Sequence, residues 1–105
     1  MCGAIRLSFF RKYITGASTR GKSWNITPEE ADKRLKSQNY KCALSGLEIS
    51  ANGPLELITA SLDRIVNTRG YESDNIQWVH KEINMMRGPM EIAQFKNLCR
   101  LVSAQ

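Results

Sequence analysis

Leu57-Ile58-Thr59-Ala60-Ser61-Leu62-Asp63 is an apolar run that closes on a carboxylate, and Asn84 follows it 21 residues later. The apolar and β-branched content predicts a strand over residues 55–62, with Asp63 at its end. Ile76-Gln77-Trp78 predicts a brief returning strand, and residues 78–87 a helix, because Val79, Ile83 and Met86 fall at i, i+4 and i+7. His80, Asn84 and Arg87 repeat that spacing one position later and would line an adjacent face. A strand-end carboxylate and a helix-borne amide can share one oxygen-preferring cation. Such a geometry suits phosphodiester hydrolysis.

Outward from this segment, residues 66–74 read as a polar loop containing Gly70-Tyr71, and Asn52-Gly53-Pro54 as a break in the chain. Residues 40–49 carry a turn at Ser45-Gly46 between two short apolar stretches, which predicts a hairpin. Before it, Thr27-Pro28-Glu29-Glu30 is a helix start. Thr27 can cap, Pro28 suits the first helical position and Glu30 can reach back, so a helix should run from residue 28 to about 38. Its apolar stripe, Ala31 and Leu35, is narrow. At the other end Gly88-Pro89 should stop one helix and open the last, in which Ile92, Phe95, Leu98, Cys99 and Val102 keep helical spacing as core residues.

The chain has 105 residues, which supports one small α+β domain. Its charge is uneven. Residues 1–41 hold nine Lys/Arg against three Asp/Glu, and residues 42–105 hold six against seven, so the net +5 is an N-terminal property. Residues 1–26 mix basic side chains with Phe9, Phe10, Tyr13 and Trp24 and show no sustained period, which predicts a basic arm ahead of a domain at 27–105. Such an arm either lies along DNA or caps the core with its aromatics. Positive charge without a long apolar face favours phosphate backbones over membranes as the partner. Cys2, Cys42 and Cys99 are too few and too scattered for a disulfide framework or a zinc knuckle, so a reducing cytoplasm is expected and structural zinc is not. The short apolar stretch at residues 1–10 is interrupted by Arg6 and predicts neither a membrane span nor a cleaved signal.

Cys42-Ala-Leu-Ser-Gly, Ser61-Leu-Asp-Arg-Ile65, Gly70-Tyr71 and Asn75-Ile-Gln-Trp-Val-His-Lys-Glu-Ile-Asn84 resemble the HNH endonucleases, especially small phage-type members, over roughly residues 40–87. The resemblance implies a ββα-metal core flanked by helices, holding one divalent cation against double-stranded DNA in a bacterial or phage-infected cell. It assigns Asp63 as the strand metal ligand, Asn84 as the helix metal ligand and Asn75 as the asparagine that braces the loop. Where the family places its general-base histidine, after the strand aspartate, this chain has Arg64. Arginine stays cationic at neutral pH and cannot accept that proton.

Three answers to the missing base are available, and the favoured expectation places His80 near the metal, as a ligand beside Asp63 and Asn84, with Arg64 on the phosphate. His80 could be a third metal ligand through its i, i+4 relation to Asn84, or could itself take the proton. Alternatively the metal, Mg2+ or Mn2+, acidifies its own water while Arg64 holds the scissile phosphate. Equally plain alternatives exist for each residue: a surface histidine, a turn aspartate paired to Arg64, an exposed helix amide. Arg11, Lys12, Arg20, Lys22, Lys33, Arg34, Lys81 and Arg87 are the candidate phosphate contacts. A domain this small would need a homodimer or a further module to read a long site. The functional expectations are a metal-dependent DNA endonuclease or nickase, a DNA-binding module on the same scaffold without chemistry, or a protein-interaction module.

Overall fold

Trp78 has no exposed surface and marks the centre of the molecule. In the computed structural model, which describes residues 5–105, its strand is the first element of the core. Cys2 and the first four positions of the expected arm lie outside the described residues. Strand β4 (Ile76–His80) pairs antiparallel with β2 (Ala60–Arg64), in the register Ala60↔His80, Leu62↔Trp78 and Asp63↔Gln77. Side chains alternate across such a ladder. One face therefore carries Ser61, Asp63, Gln77 and Val79, and the other carries Ala60, Leu62, Trp78 and His80. Helix α3 (Lys81–Arg87) leaves β4 without a loop and packs back on both strands, giving a strand–strand–helix unit.

This corrects the expected helix over residues 78–87. Val79 and His80 continue the ladder, because pairing with Ser61 and Ala60 satisfies their backbone and buries Val79 completely. Upstream, residues 55–62 are only partly strand: Leu55–Leu57 is a turn of 3₁₀ helix and β2 begins at Ala60. The expected hairpin at 40–49 reduces to a single antiparallel bridge, Lys41↔Glu48, around a turn with Gly46 at φ +77°.

Helix α2 (Pro28–Ser37) forms as its start signal predicts. Thr27 Oγ1 accepts from Glu30 N at 3.1 Å and Glu30 Oε1 accepts from Thr27 N at 2.9 Å, so two end donors are satisfied reciprocally. Ala31 and Leu35 are fully buried, and the Trp78 indole donates to the Ala31 carbonyl at 2.9 Å. Gln38 just beyond α2 clamps the outer edge of β4, accepting from Trp78 N at 2.9 Å and donating to its carbonyl at 2.8 Å. The edge is thereby closed to further strands.

The N-terminal segment is where the fold departs furthest from expectation. Residues 7–19 are helix α1 (Leu7–Thr19), not an extended arm. Phe10 and Ala17 are buried, and Phe9 and Tyr13 pack edge-on to each other and against Trp78, with ring centroids 5.4, 6.3 and 6.4 Å apart. Ile5, Phe10, Ala17 and Ile26 belong to the same core cluster as Leu62, Ile76 and Trp78, so no domain boundary falls at residue 26. After α1, strand β1 (Trp24–Asn25) pairs in parallel with β3 (Tyr71–Glu72). Gly70 makes this junction possible: a Cβ there would stand 2.0 Å from Ser23 Oγ and 2.9 Å from the Ser23 carbonyl.

Helix α4 (Ile92–Ser103) follows Gly88, whose φ of +54° suits glycine, but it is not the core helix its spacing suggests. Phe95 is its buried residue, whereas Leu98, Leu101, Val102 and Cys99 are exposed. The expectation that Cys99 is buried is thus overturned, since α4 has no second layer laid over it among the described residues. Within those residues the fold is mixed α+β, with four α-helices and short strands.

Candidate functional site

Asp63 and Asn84 both line a single cleft of about 370 Å3, lined also by Lys12, Tyr13, Gly16, Arg20, Arg64, Asn67 and Tyr71. Asp63 reaches it from the α3 side of the ladder. Asn84 reaches it from α3, where it shares a face with Arg87, three positions on.

Each side chain is held. Asn84 Nδ2 donates to Ser61 Oγ at 2.8 Å, which leaves its carbonyl oxygen as the donor available to a cation. Ser61 Oγ in turn receives the Tyr13 hydroxyl at 3.4 Å, and that hydroxyl accepts from Leu62 N at 3.2 Å. Tyr13 is therefore the link between α1 and the site. Burial pushes its phenol above the ordinary tyrosine range, with Ser61 and Leu62 pulling the other way, so it remains a protonated donor.

Asp63 is 8% exposed, and its Oδ2 accepts from Gln77 Nε2 at 3.0 Å and from Arg87 Nη1 in an ion pair. Burial lifts this carboxyl above the ordinary aspartate range, opposed by the Gln77 hydrogen bond and then by Arg87. Arg87 is 1% exposed and also donates to the carbonyls of Arg64, Ile65 and Met90 and to Asn67 Oδ1. Its planar fork thus ties β2, the following loop and the end of α3 together. The expected role of Arg87 as a phosphate contact is overturned, since a guanidinium without exposed surface cannot meet a DNA backbone.

Arg64 lines the cleft with its Nη1 donating to the Asn67 carbonyl and, at 3.0 Å, to the Arg69 carbonyl. Its guanidinium also lies over the Tyr71 ring, 5.5 Å from the centroid. Asn75 is fully buried and braces the loop as anticipated: Oδ1 accepts from Val66 N at 2.8 Å, and Nδ2 donates to Gly70 O at 2.9 Å and Val66 O at 3.2 Å. It does not line the cleft, so it serves the site by shaping the loop that carries Arg64 and Asn67.

His80 is placed elsewhere. Its side chain leaves the opposite face of the ladder from Asp63, about 10 Å along the strand from Gln77 at the usual strand rise. Its Nδ1 accepts from Glu82 N at 3.1 Å and caps α3. The i, i+4 relation to Asn84 fails because His80 is extended, at φ −66° and ψ 137°, and precedes the helix.

Of the other expected phosphate contacts, Lys12 and Arg20 line the cleft. Lys33 and Arg34 border a separate groove with Glu30, Ser37 and Ser73, and Arg11, Lys22 and Lys81 are not on the cleft wall. Tyr13, Ser61, Gln77 and Tyr71 were not singled out in the sequence as site residues. Gln77 was discoverable from the ladder, since an antiparallel register places one residue of β4 directly opposite Asp63.

One carboxylate and one amide oxygen on the same cleft are the donor types that Mg2+ or Mn2+ take while keeping several waters, whereas no cluster of three His, Cys, Asp or Glu side chains occurs among the described residues. Compared with protein-family models, curated proteins and solved structures, the chain matches none of them.

Proposed function

We propose that this cleft hydrolyses phosphodiester bonds in DNA with the help of a divalent cation, as an HNH-like endonuclease or nickase. The observation that carries the proposal is the convergence of Asp63 and Asn84 on one cleft whose other walls present Lys12, Arg20 and Arg64. Asp63 and Asn84 would hold the cation, preferably Mg2+. When bound, it supplies Lewis-acid polarisation of the phosphoryl group and lowers the pKa of water.

The chain's own residues do the rest. Gln77 and Arg87 fix one oxygen of Asp63 and leave its other oxygen for a ligand. Ser61 and Tyr13 fix the Asn84 amide. Arg64, whose Nη1 is engaged by the Asn67 and Arg69 carbonyls, offers its remaining N–H groups to a non-bridging phosphate oxygen and offsets the charge that grows there in the transition state. Water attacks phosphorus in line, the bond to the 3′ oxygen breaks, and the proton balance leaves a 3′ hydroxyl and a 5′ phosphate. The two answers that used His80, including the favoured one as a metal ligand, are weakened by this arrangement, because His80 caps α3 from the other face of the ladder.

The test is nicking of supercoiled plasmid DNA in Mg2+, with an EDTA control. Asp63→Asn, which keeps an oxygen for Arg87, should lose activity by about 100-fold or more, as removal of a charge-stabilising group does. Asn84→Ala should lose it too, and His80→Ala should retain it while costing roughly 1 kcal/mol of stability as a lost cap. Cleavage that persists in EDTA would end the metal-dependent reading. The ion pair between Asp63 and Arg87 favours a second reading, a DNA-binding module without chemistry, because the carboxylate is already neutralised. That alternative predicts salt-sensitive DNA binding and no cleavage with any divalent ion.

A further inference from the structure

The carboxylate in the cleft is matched by buried Arg87, so its charge is spent within the fold. Lys12, Arg20 and Arg64 around the same cleft form no salt bridge among the described residues, whose ion pairs use Lys36, Arg69 and Arg87 instead. The cleft is therefore strongly positive before anything binds, and three like charges about one concavity repel each other unless an anion enters.

Two of these cations are also aimed. Tyr71 is 5% exposed and fixed by its ladder with β1. Its hydroxyl accepts from Arg20 Nη2 at 2.9 Å, and its ring lies under the Arg64 guanidinium at 5.5 Å. One rigid aromatic residue thus contacts both the arginine that caps the C-terminus of α1 and the arginine that ends β2, on the same cavity. Lys12 and Gly16 of α1 line the cavity one turn apart, with Arg20 at the helix cap, and Gly16 keeps the space clear, since a Cβ there would meet Arg20 Nη1 at 3.0 Å.

We propose that Arg20 and Arg64, positioned by Tyr71 and assisted by Lys12, form an anion subsite that takes a nucleic-acid phosphate without any metal, so that substrate is held before the cation is engaged. The ligand's identity rests on the reading of the cleft as a DNA site, but the subsite itself does not require hydrolysis. Charge-assisted hydrogen bonding of the remaining guanidinium N–H groups to phosphate oxygens is the chemistry, and Lys12 and Arg20 bring it from α1 and its C-terminal cap, outside the strand–strand–helix unit that supplies Arg64.

The experiment is fluorescence anisotropy of a labelled short DNA duplex in EDTA, across a salt series, with backbone amide shifts recorded by NMR. Arg20→Gln should weaken binding about tenfold and reduce the salt slope by about one, as for one lost phosphate contact. Tyr71→Phe changes no charge and keeps the ring, and should weaken binding about threefold by releasing Arg20, in line with one lost hydrogen bond. Lys33→Gln removes the same charge on a different groove and should change binding less than twofold, as a surface charge off the contact does.

DNA should shift the amides of Gly16, Arg20 and Tyr71. Equal weakening by Arg20→Gln and Lys33→Gln would reduce the effect to net charge and overturn the subsite, as would wild-type binding by Tyr71→Phe. Arg20 is exposed, so its variant keeps the fold and carries the test if Tyr71→Phe is unstable. Absent nicking beside the predicted anisotropy pattern would remove hydrolysis and leave the subsite; nicking with no Arg20 effect would do the reverse.

Discussion

Asp63 and Arg87 are a buried pair whose value lies in keeping each other company. Taking both from water costs several kcal/mol per ion, which their attraction offsets only while both are present. Asp63→Ala should therefore destabilise the protein by about 3 kcal/mol, because it strands Arg87 without a counter-charge among backbone carbonyls. Urea midpoints should show the paired replacement Asp63→Leu with Arg87→Met costing less than the sum of the single changes. Any loss of activity in Asp63→Ala is consequently a mixture of chemistry and folding, which is why the asparagine variant is the cleaner probe of the site.

The same carboxyl also sets a pH dependence. Burial raises its folded pKa above the ordinary value, so the folded state binds the proton more tightly than the unfolded chain does. Its contribution to stability is then fully present below the unfolded pKa and lost as pH climbs through the folded one. Unfolding measured on both sides of that interval should show wild type losing stability with rising pH, and Asp63→Asn should flatten that part of the profile.

Among the elements, the β1–β3 junction is the most sensitive to a single methyl group. Gly70 lies against Ser23, and Tyr71 N donates to the Ser23 carbonyl at 2.9 Å. Gly70→Ala forces a side chain into that contact and should lower stability by about 1–3 kcal/mol, the usual cost of overpacking, read as a fall in thermal midpoint. It should also loosen Tyr71, and with it the aim of Arg20 and Arg64. The β4–α3 boundary shows how pairing overrides periodicity. Val79, Ile83 and Met86 satisfy a helical stripe in sequence, yet Met86 is 61% exposed and Val79 is a strand residue. A helix period read over so short a window cannot weigh the hydrogen bonds that β2 offers to residues 76–80.

For the molecule as a whole, α1 decides whether there is a domain at all. A fragment of residues 27–105 lacks Ile5, Phe10, Ala17 and Ile26 from the core, and also Phe9 and Tyr13, which pack on Trp78. Burying each large apolar side chain contributes about 1.5–3 kcal/mol, and a small domain has only about 5–15 kcal/mol in total, so the fragment should show no cooperative thermal transition by circular dichroism. A folded fragment with native-like near-ultraviolet signal would restore the picture of a detachable arm. The sequence by itself determined what is local. The Thr27 capping box, the stop at Gly88-Pro89 and the returning strand at Ile76 are each written in a few adjacent side chains whose hydrogen bonds or φ angles have few alternatives. Asp63 and Asn84, singled out by their spacing, both line one cleft. Phe10, Tyr13 and Ala17 carried a readable helical spacing, but the Gly, Ser and Thr around them masked it, and only packing on Trp78 settles α1 as a helix. Tertiary structure alone decided that Arg87 faces inward, that His80 faces away and that Lys12 and Arg20 reach the cleft. Burial, strand register and partner choice arise from chain segments far apart in sequence, and no local pattern encodes which charge will meet which.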